Sequence, residues 1–111
     1  METNNKPLYK MVFTLKDNAI PEKFAEVIDE MLACYKSTCE HRINGNVVEF
    51  STSEPKYFGG MWGVILDALD SKLFQIIDGV VWIDCKTGET EDVLIQFLEE
   101  LEKESDNGDK Q

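Results

Sequence analysis

The sequence lacks the residues and motifs on which many enzymes and metalloproteins depend. Its 111 residues include one histidine, and none of the patterns GxxxxGK[ST], GxGxxG, HExxH or GxSxG occurs. These patterns mark phosphate-binding loops, dinucleotide sites, zinc sites and serine nucleophiles. An EF-hand loop with its ligand spacing is missing as well. We therefore expect a protein without cofactor, without metal and without catalytic activity.

Long apolar runs and paired cysteine motifs are also missing. No apolar run is long enough to span a bilayer, and the N-terminal METNNKPLYK lacks the apolar segment of a signal peptide. Cys34, Cys39 and Cys85 are an odd number of cysteines without CxxC spacing, which favours reduced thiols over a disulfide framework. We expect a cytoplasmic protein that does not enter a membrane.

Basic residues are scarce, because 11 Lys and Arg stand against 22 Asp and Glu and leave a net charge of −11. Residues 81–111 carry −7, whereas residues 1–20 carry +1. A field of this sign repels nucleic-acid phosphates and anionic lipids and attracts basic proteins. Direct nucleic-acid binding is therefore disfavoured. An acidic surface can also serve solubility alone, and that alternative stays open.

The residues that are present fit one globular domain. An apolar content of 42% in a chain of this length predicts a single core, with one domain spanning residues 1–111. The polar ends, residues 1–7 and 105–111, are predicted to be disordered. Residues 8–15 alternate between apolar and polar, which predicts a strand with one buried face. Apolar residues recur at helical spacing after Pro21, which predicts an amphipathic helix.

Two pairs of short apolar segments are each separated by a turn-forming dipeptide. Asn44-Gly45 predicts a hairpin of residues 39–43 with 46–51, in which Glu40 would face Glu49. The two glutamates would repel each other mildly across the strands.

The second dipeptide, Asp78-Gly79, predicts a hairpin of residues 73–77 with 80–84. A helix over residues 60–72 is predicted to precede it, and a final helix capped by Thr90 to follow it. The predicted order is β-α-β-β-α-β-β-α. The fold class is therefore α+β, a two-layer α/β sandwich with a mainly antiparallel sheet and a ferredoxin-like βαββαβ core.

The segment KYFGGMWGVILDALD, residues 56–70, has the composition of a binding loop that leads into a helix. Gly59 and Gly60 could cradle an anion, but no Lys, Ser or Thr follows in the first turn, so they indicate a flexible or positive-φ start of the helix. At 100° per residue, Trp62 falls in the apolar sector and is predicted to lie in the core. The opposite, small and acidic face carries Gly63, Asp67 and Asp70.

Trp82 lies on a predicted strand face that also carries Gln75 and Asp84. If the last helix covers that face, Trp82 belongs to the core. If the face stays open, an aromatic ring among polar groups is typical of an interaction hot spot. The sequence leaves both alternatives open. The predicted partner-binding residues are Tyr57, Asp67, Asp70, Trp82 and Asp84.

For two pairs of potentially reactive side chains, burial or exposure to solvent is a better explanation than metal binding or catalysis. Cys39 and His41 point the same way on one strand, but the other cysteines do not lie at metal-ligand spacing from them, and burial accounts for both. Asp67 and Asp70 could share a helix surface, but a domain with one core has little room for the deep cleft of a two-carboxylate enzyme. We interpret them as a solvated helix face.

Together these features predict a non-catalytic acidic binding protein that engages a basic protein partner. In its sharper form the hypothesis is an inhibitor or immunity-type protein that blocks a cationic target such as a nuclease toxin. Two other classes stay open. One is a small regulatory or adaptor subunit that acts as a homo-oligomer, for instance a homodimer through an open sheet face or edge. The other is a carboxylate-using enzyme.

Overall fold

The computed structural model describes residues 6–109, so residues 1–5 and 110–111 of the predicted disordered ends lie outside the described residues, whereas residues 105–109 belong to the last helix. The fold is α+β, with a five-stranded antiparallel sheet and three α-helices. In chain order the elements are β1 (Tyr9–Leu15), α1 (Pro21–Cys34), β2 (Glu40–Asn44), β3 (Val47–Thr52), α2 (Phe58–Leu69), β4 (Ile77–Asp84), β5 (Glu89–Asp92) and α3 (Val93–Asp109). Short 3₁₀ helices at Pro55–Tyr57 and Lys72–Ile76 flank α2.

The middle strand of the sheet is β1. The strands lie in the order β2-β3-β1-β4-β5, and each neighbouring pair is antiparallel. The alternation predicted for β1 is confirmed, since Tyr9, Met11, Phe13 and Leu15 are buried and the residues between them are not. Side chains from α1 and α2 complete the core on that face of the sheet. Among the described residues, no helix combines the length and apolar composition needed to cross a membrane.

The end of α1 is built as a Schellman motif around a residue other than glycine. Lys36 has a φ of +57°, and its N–H donates to the carbonyl of Ala33. The next N–H, that of Ser37, donates to the carbonyl of Leu32 at 2.9 Å. These two bonds satisfy carbonyls that the helix end would otherwise leave unpaired. The turn that results directs Tyr35 and Ser37 toward α2.

The first predicted hairpin forms, but its turn lies one residue later than predicted. The two turn residues are Gly45, with a φ of +62°, and Asn46, so glycine takes the first position, as in a type II′ turn. This shift places Arg42, rather than Glu40, opposite Glu49. Opposite charges therefore face each other across β2 and β3, and the predicted repulsion is removed.

The hairpin predicted around Asp78-Gly79 is wrong. Lys72–Ile76 forms a 3₁₀ helix instead of a strand, because the Ser71 hydroxyl accepts a hydrogen bond from the N–H of Leu73 and caps it. Both residues of the dipeptide lie within β4, which pairs with β1 and, through its last four residues, with β5. The actual turn is the loop between β4 and β5, which ends at Gly88 with a φ of +79°.

The start of α3 also differs from the prediction. Thr90, the predicted cap, lies in β5, and Asp92 caps the helix by accepting a hydrogen bond from the N–H of Ile95 at 3.0 Å. The predicted apolar stripe of α3 is only partly covered. Val93 is buried, Leu94 and Phe97 are half-buried, and Leu98 and Leu101 are exposed.

Candidate interaction surface

Four aromatic rings form a continuous cluster where α2 crosses β1 and β4. Tyr9 stacks on Trp82 with 5.5 Å between ring centroids, and Phe58 meets these two rings edge-on at 5.1 and 5.2 Å. Trp62 meets Trp82 edge-on at 5.2 Å. Each such contact contributes about 0.5–1.5 kcal/mol beyond the burial of apolar area. Because the rings support one another, the outer ones are held in fixed orientations.

The outer members of this cluster belong to a row of side chains along α2. Phe58, Trp62 and Leu66 recur every four residues and so share one face of the helix; we call them the α2 stripe. Phe58 is 44% exposed, Leu66 is 43% exposed and Trp62 is half-buried. Single exposed apolar residues are ordinary, whereas a contiguous row of them is typical of an interaction surface.

Carboxylates border the α2 stripe. Asp70 follows Leu66 by one helical turn and extends the row at the end of α2. On the sheet, Glu91 is the cross-strand partner of Trp82, and Glu89 is that of Asp84. Cross-strand partners project to the same face. The two glutamates therefore lie on the helix side of the sheet, on the edge strand β5.

A cation, Lys86, lies beside the Tyr9 ring. Its Nζ is 5.2 Å from the ring centroid and donates a hydrogen bond to the Tyr9 hydroxyl at 3.2 Å. This hydrogen bond raises the pKa of Lys86. Lys86 thus places a cation beside Tyr9, at the end of the sheet where Asp84 and Glu89 also lie.

Glycines in α2 let the end of α1 approach closely. A Cβ at Gly60 would lie 3.1 Å from Ser37 Cβ and 3.2 Å from Tyr35 Cβ. A Cβ at Gly63 would lie 2.8 Å from the Tyr35 ring. Neither Gly59 nor Gly60 has a positive φ, so the interpretation of a positive-φ helix start is wrong. Gly60 serves instead as the contact point between α1 and α2.

The two tryptophans have exchanged the environments expected of them. Trp62, predicted to be core, is only half-buried at the edge of the core, in the α2 stripe. Trp82 is 5% exposed, so the alternative in which it belongs to the core is the one that holds. Its cover comes from α2 and Tyr9 rather than from the last helix. Gln75 does not share its strand, because that residue lies in the 3₁₀ helix.

Asp67 and Asp70 are both exposed, but their surroundings differ. Asp67 lies on the side of α2 that faces α1, where it accepts a hydrogen bond from the Tyr35 hydroxyl at 2.5 Å. This hydrogen bond raises the pKa of Tyr35. Asp70 lies at the end of the α2 stripe. Of the two, Asp70 is the better placed to meet a partner that covers the stripe.

Tyr57 lies apart from the α2 stripe, in a polar cleft of about 520 Å³. The cleft opens beyond the Glu40–Ser51 pair, where β2 and β3 separate. Hydroxyl groups and charged side chains line it. The lining residues are Pro7, Thr38, Cys39, Glu40, Ser51, Thr52, Ser53, Glu54, Lys56 and Tyr57.

Asp84 has a role in the loop between β4 and β5. Its carboxylate accepts hydrogen bonds from the N–H groups of Lys86 at 2.9 Å and Thr87 at 3.4 Å. Such bonds fix a turn after a strand. The structure thus places Trp82 beneath the first turns of α2 and Asp70 at the end of that helix, and it leaves Tyr57 in the separate cleft.

Cys39 precedes the edge strand β2 and is half-buried, whereas His41 lies in β2 and is exposed, so the prediction that burial accounts for both is wrong for His41. Burial, with a smaller effect of Asp29, raises the pKa of the Cys39 thiol to about 11, so it is protonated and poorly nucleophilic at neutral pH. The His41 ring lies 5.4 Å from that of Phe50, and its Nδ1 lies 3.5 Å from Asp29 Oδ2. Within the part of the chain that the structure describes, no group of three or more His, Cys, Asp or Glu side chains is placed to hold a metal ion.

Sequence reasoning did not identify Phe58, Leu66, Glu89 or Glu91 as surface candidates. The signal for the first two was the width of the apolar sector of α2. From Val64 around to Leu66 this sector covers about 200° of the helix, at 100° per residue, whereas packing on one sheet needs little more than about 100°. One border of so wide a sector must stay exposed. The glutamates could not be placed, because the strand containing them was not predicted.

Comparison of the chain with protein-family models, with curated proteins and with solved structures finds no match. The fold and the site together define an α+β domain that presents a supported aromatic row among carboxylates. Its function is therefore argued from this surface.

Proposed function

We propose that this protein is a non-catalytic acidic binding protein, which captures a basic segment of a partner protein on the α2 stripe. The observation that carries the proposal is the row formed by Phe58, Trp62 and Leu66, exposed above a buried aromatic floor and bordered by carboxylates. Aromatic anchors in a fixed position and carboxylates at the rim are the anatomy of many protein interfaces.

The mechanism has two stages. A net charge of −11 accelerates the encounter with a positively charged partner over distances of about a Debye length, roughly 8–10 Å at physiological salt. The partner then buries Phe58 and Leu66 and removes water from them, which supplies most of the affinity. Asp70, Glu89 and Glu91 select a segment whose apolar side chains are flanked by Lys or Arg.

The sharper form of the proposal is an inhibitor or immunity-type protein that blocks a cationic target such as a nuclease toxin. A small acidic domain with a rigid apolar row can cover a basic active-site surface by the same two stages. A cytoplasmic location suits this role, and the exposed free thiols of Cys34 and Cys85 support a reducing compartment.

The proposal extends to the fold, for which we assign a ferredoxin-like core to the first four strands and two helices. The strand order β2-β3-β1-β4 and the contributions of α1 and α2 to one core support it. In this scheme β5 and α3 are an extension, and β5 supplies the glutamates of the surface.

Affinity capture from the native cell tests the function. The bait is the wild-type chain, and Phe58→Ser/Leu66→Ser removes the two exposed members of the apolar row. Because the Phe58 ring also packs on Tyr9 and Trp82, the melting temperature of this variant is measured to show that it folds. Val27→Ser is the matched control, since Val27 is an exposed apolar residue on α1. We expect one basic protein to bind the wild type and the control, to be lost from the double variant, and to be weakened at about 0.5 M NaCl.

Binding of that partner, once purified, separates the two stages. Asp70→Lys/Glu89→Lys should slow association several-fold at low ionic strength, with little change in melting temperature, because both carboxylates are exposed. Phe58→Ser/Leu66→Ser should instead accelerate dissociation. A partner that binds the Phe58→Ser/Leu66→Ser variant as tightly as the wild type would refute the assigned surface.

A further inference from the structure

The side of the sheet that faces away from α1 and α2 carries a second apolar area, which we call the open face. In β1 its residues alternate with the buried ones, so Lys10, Val12 and Thr14 belong to it. The cross-strand registers extend it over the other strands. At its centre are four half-exposed apolar residues, Val12, Val47, Val81 and Ile83.

The helices contribute to the core on the other side of the sheet. None of the four central residues is among the half-buried apolar residues that pack against the core. Val93, at the start of α3, is buried in that core, and the Phe97 ring lies 5.8 Å from that of Phe74. Further along α3, Leu98 and Leu101 are exposed. In the described residues, therefore, the open face has no helix of its own to cover it.

The open face is close to neutral, unlike the rest of the molecule. The charged residues that the cross-strand registers place on this face are two cations and three carboxylates, a net of −1 in a chain whose net charge is −11. They are Lys10, Arg42, Glu40, Glu49 and Asp92. Two copies of so acidic a protein repel each other, and this face is where they can approach with little local repulsion.

The charges at the two edges of one row of this face also complement each other. One row across the sheet reads Arg42, Glu49, Val12, Val81 and Asp92. Because β1 is the middle strand, a two-fold axis parallel to β1 exchanges β2 with β5. Such an axis lays Arg42 of one copy over Asp92 of the second copy and brings the two Val12 side chains together. Lys10, which also lies at the axis, is already paired with Glu49 at 3.2 Å.

The size of the face suits a dimer. Five strands about 4.8 Å apart, with an average length of about six residues, give a flat area of roughly 480 Å². Projecting side chains increase the accessible area above this value, toward the roughly 800 Å² per partner of a standard interface. We propose that the protein forms a two-fold symmetric homodimer through the open face, which leaves the α2 stripe free on the outside of each subunit.

Sedimentation and light scattering across a concentration series test this proposal. The wild type should move from the 12.7 kDa monomer toward twice that mass as the concentration rises to near-millimolar. Val12→Glu and Arg42→Glu should each raise the dimer dissociation constant by at least about tenfold. Adding Asp92→Arg to Arg42→Glu should restore most of that loss, since the pair is then reversed. Val27→Glu, a charge on an exposed position of α1, is the control.

The melting temperature of each variant shows whether it still folds, which matters most for Asp92→Arg because Asp92 also caps α3. The wild-type melting temperature should rise with protein concentration, as it does when association stabilises the folded state. A wild type that stays monomeric throughout, or a dimer broken by Leu98→Glu on α3 but not by Val12→Glu, overturns the proposal. Capture on the α2 stripe is a separate result, since Val12→Glu should leave it intact and Phe58→Ser/Leu66→Ser should leave the dimer intact.

Discussion

Apolar side chains are exposed on both sides of the sheet, but their charged neighbours differ. On the helix side, the α2 stripe ends at Asp70, and Glu89 and Glu91 of β5 lie on the same side of the sheet, with Glu91 accepting a hydrogen bond from Gln96. On the open face, cations and carboxylates alternate around the central valines. Apolar area alone would predict that either surface binds something. The charge pattern is the basis of the two proposals, a basic segment for the first surface and a second copy for the second.

The largest effect should come from neighbouring residues of β4 that point to opposite sides. Trp82→Ala removes a buried ring on which three other aromatic rings pack, and it should lower the free energy of unfolding by about 3–5 kcal/mol. Val81→Ala, on the open face, should cost at most about 1 kcal/mol. Urea denaturation of the two variants at low protein concentration, where the chain is monomeric, measures the difference.

The reverse order of stabilities would contradict the assignment of the two faces. Measuring the molecular mass over a concentration series adds a second test, because Val81→Ala should weaken self-association whereas Trp82→Ala should not. The comparison then separates a residue that holds the fold together from one that is available to a partner.

A second comparison concerns how α2 is held in place. Gly60→Ala puts a methyl group against Ser37 and Tyr35 and should cost about 1–3 kcal/mol, since both neighbours belong to the packed end of α1. Gly59→Ala meets nothing within 4 Å and should stabilise the protein by up to about 1 kcal/mol, because alanine favours the helix. Thermal or urea unfolding measures both variants. Equal effects at the two positions would show that α1 and α2 do not meet at Gly60.

The periodic elements of this fold could be predicted from the sequence, because one buried face repeats along each of them. Residues 8–15 alternate and Phe24, Ile28 and Leu32 recur at helical spacing, and these patterns correspond to β1 and α1. The turn at Asn44-Gly45 was displaced by one residue, since glycine adopts a positive φ at either turn position. The pairing of Arg42 with Glu49 could not be predicted, because it depends on the register between β2 and β3.

The second half of the chain was harder to predict because two turn signals compete there. Asp78-Gly79 favours a hairpin locally, but the Ser71 cap and the pairing of β4 with β1 stabilise a different arrangement. Because of that error, Gln75 was predicted to share a strand face with Trp82, and the strand β5 was not predicted. Of the residues that form the α2 stripe and its acidic end, the sequence consequently predicted only Asp70 as a surface residue, while Trp62 was assigned to the core.

The turn after α1 offers a smaller test on the helix side. Lys36 holds a positive φ, which costs a residue with a Cβ about 1 kcal/mol relative to glycine. Lys36→Gly should therefore stabilise the protein by about that amount. The same substitution inside α1, Lys23→Gly, should destabilise it by up to about 1 kcal/mol. Unfolding curves that shift in the same direction for both variants would contradict the Schellman geometry at Lys36.

The smallest effect on stability is expected on the open face, at the pair between Lys10 and Glu49. Exposed ion pairs contribute little, so Glu49→Gln should change the free energy of unfolding of the monomer by less than about 0.5 kcal/mol. The same substitution leaves Lys10 unneutralised at the proposed two-fold axis, where it would face Lys10 of the second copy. Glu49→Gln should therefore weaken self-association while leaving the monomer stable. Ultracentrifugation that shows an unchanged dimer would place the axis elsewhere, and a large loss of monomer stability would mean that the pair supports the sheet.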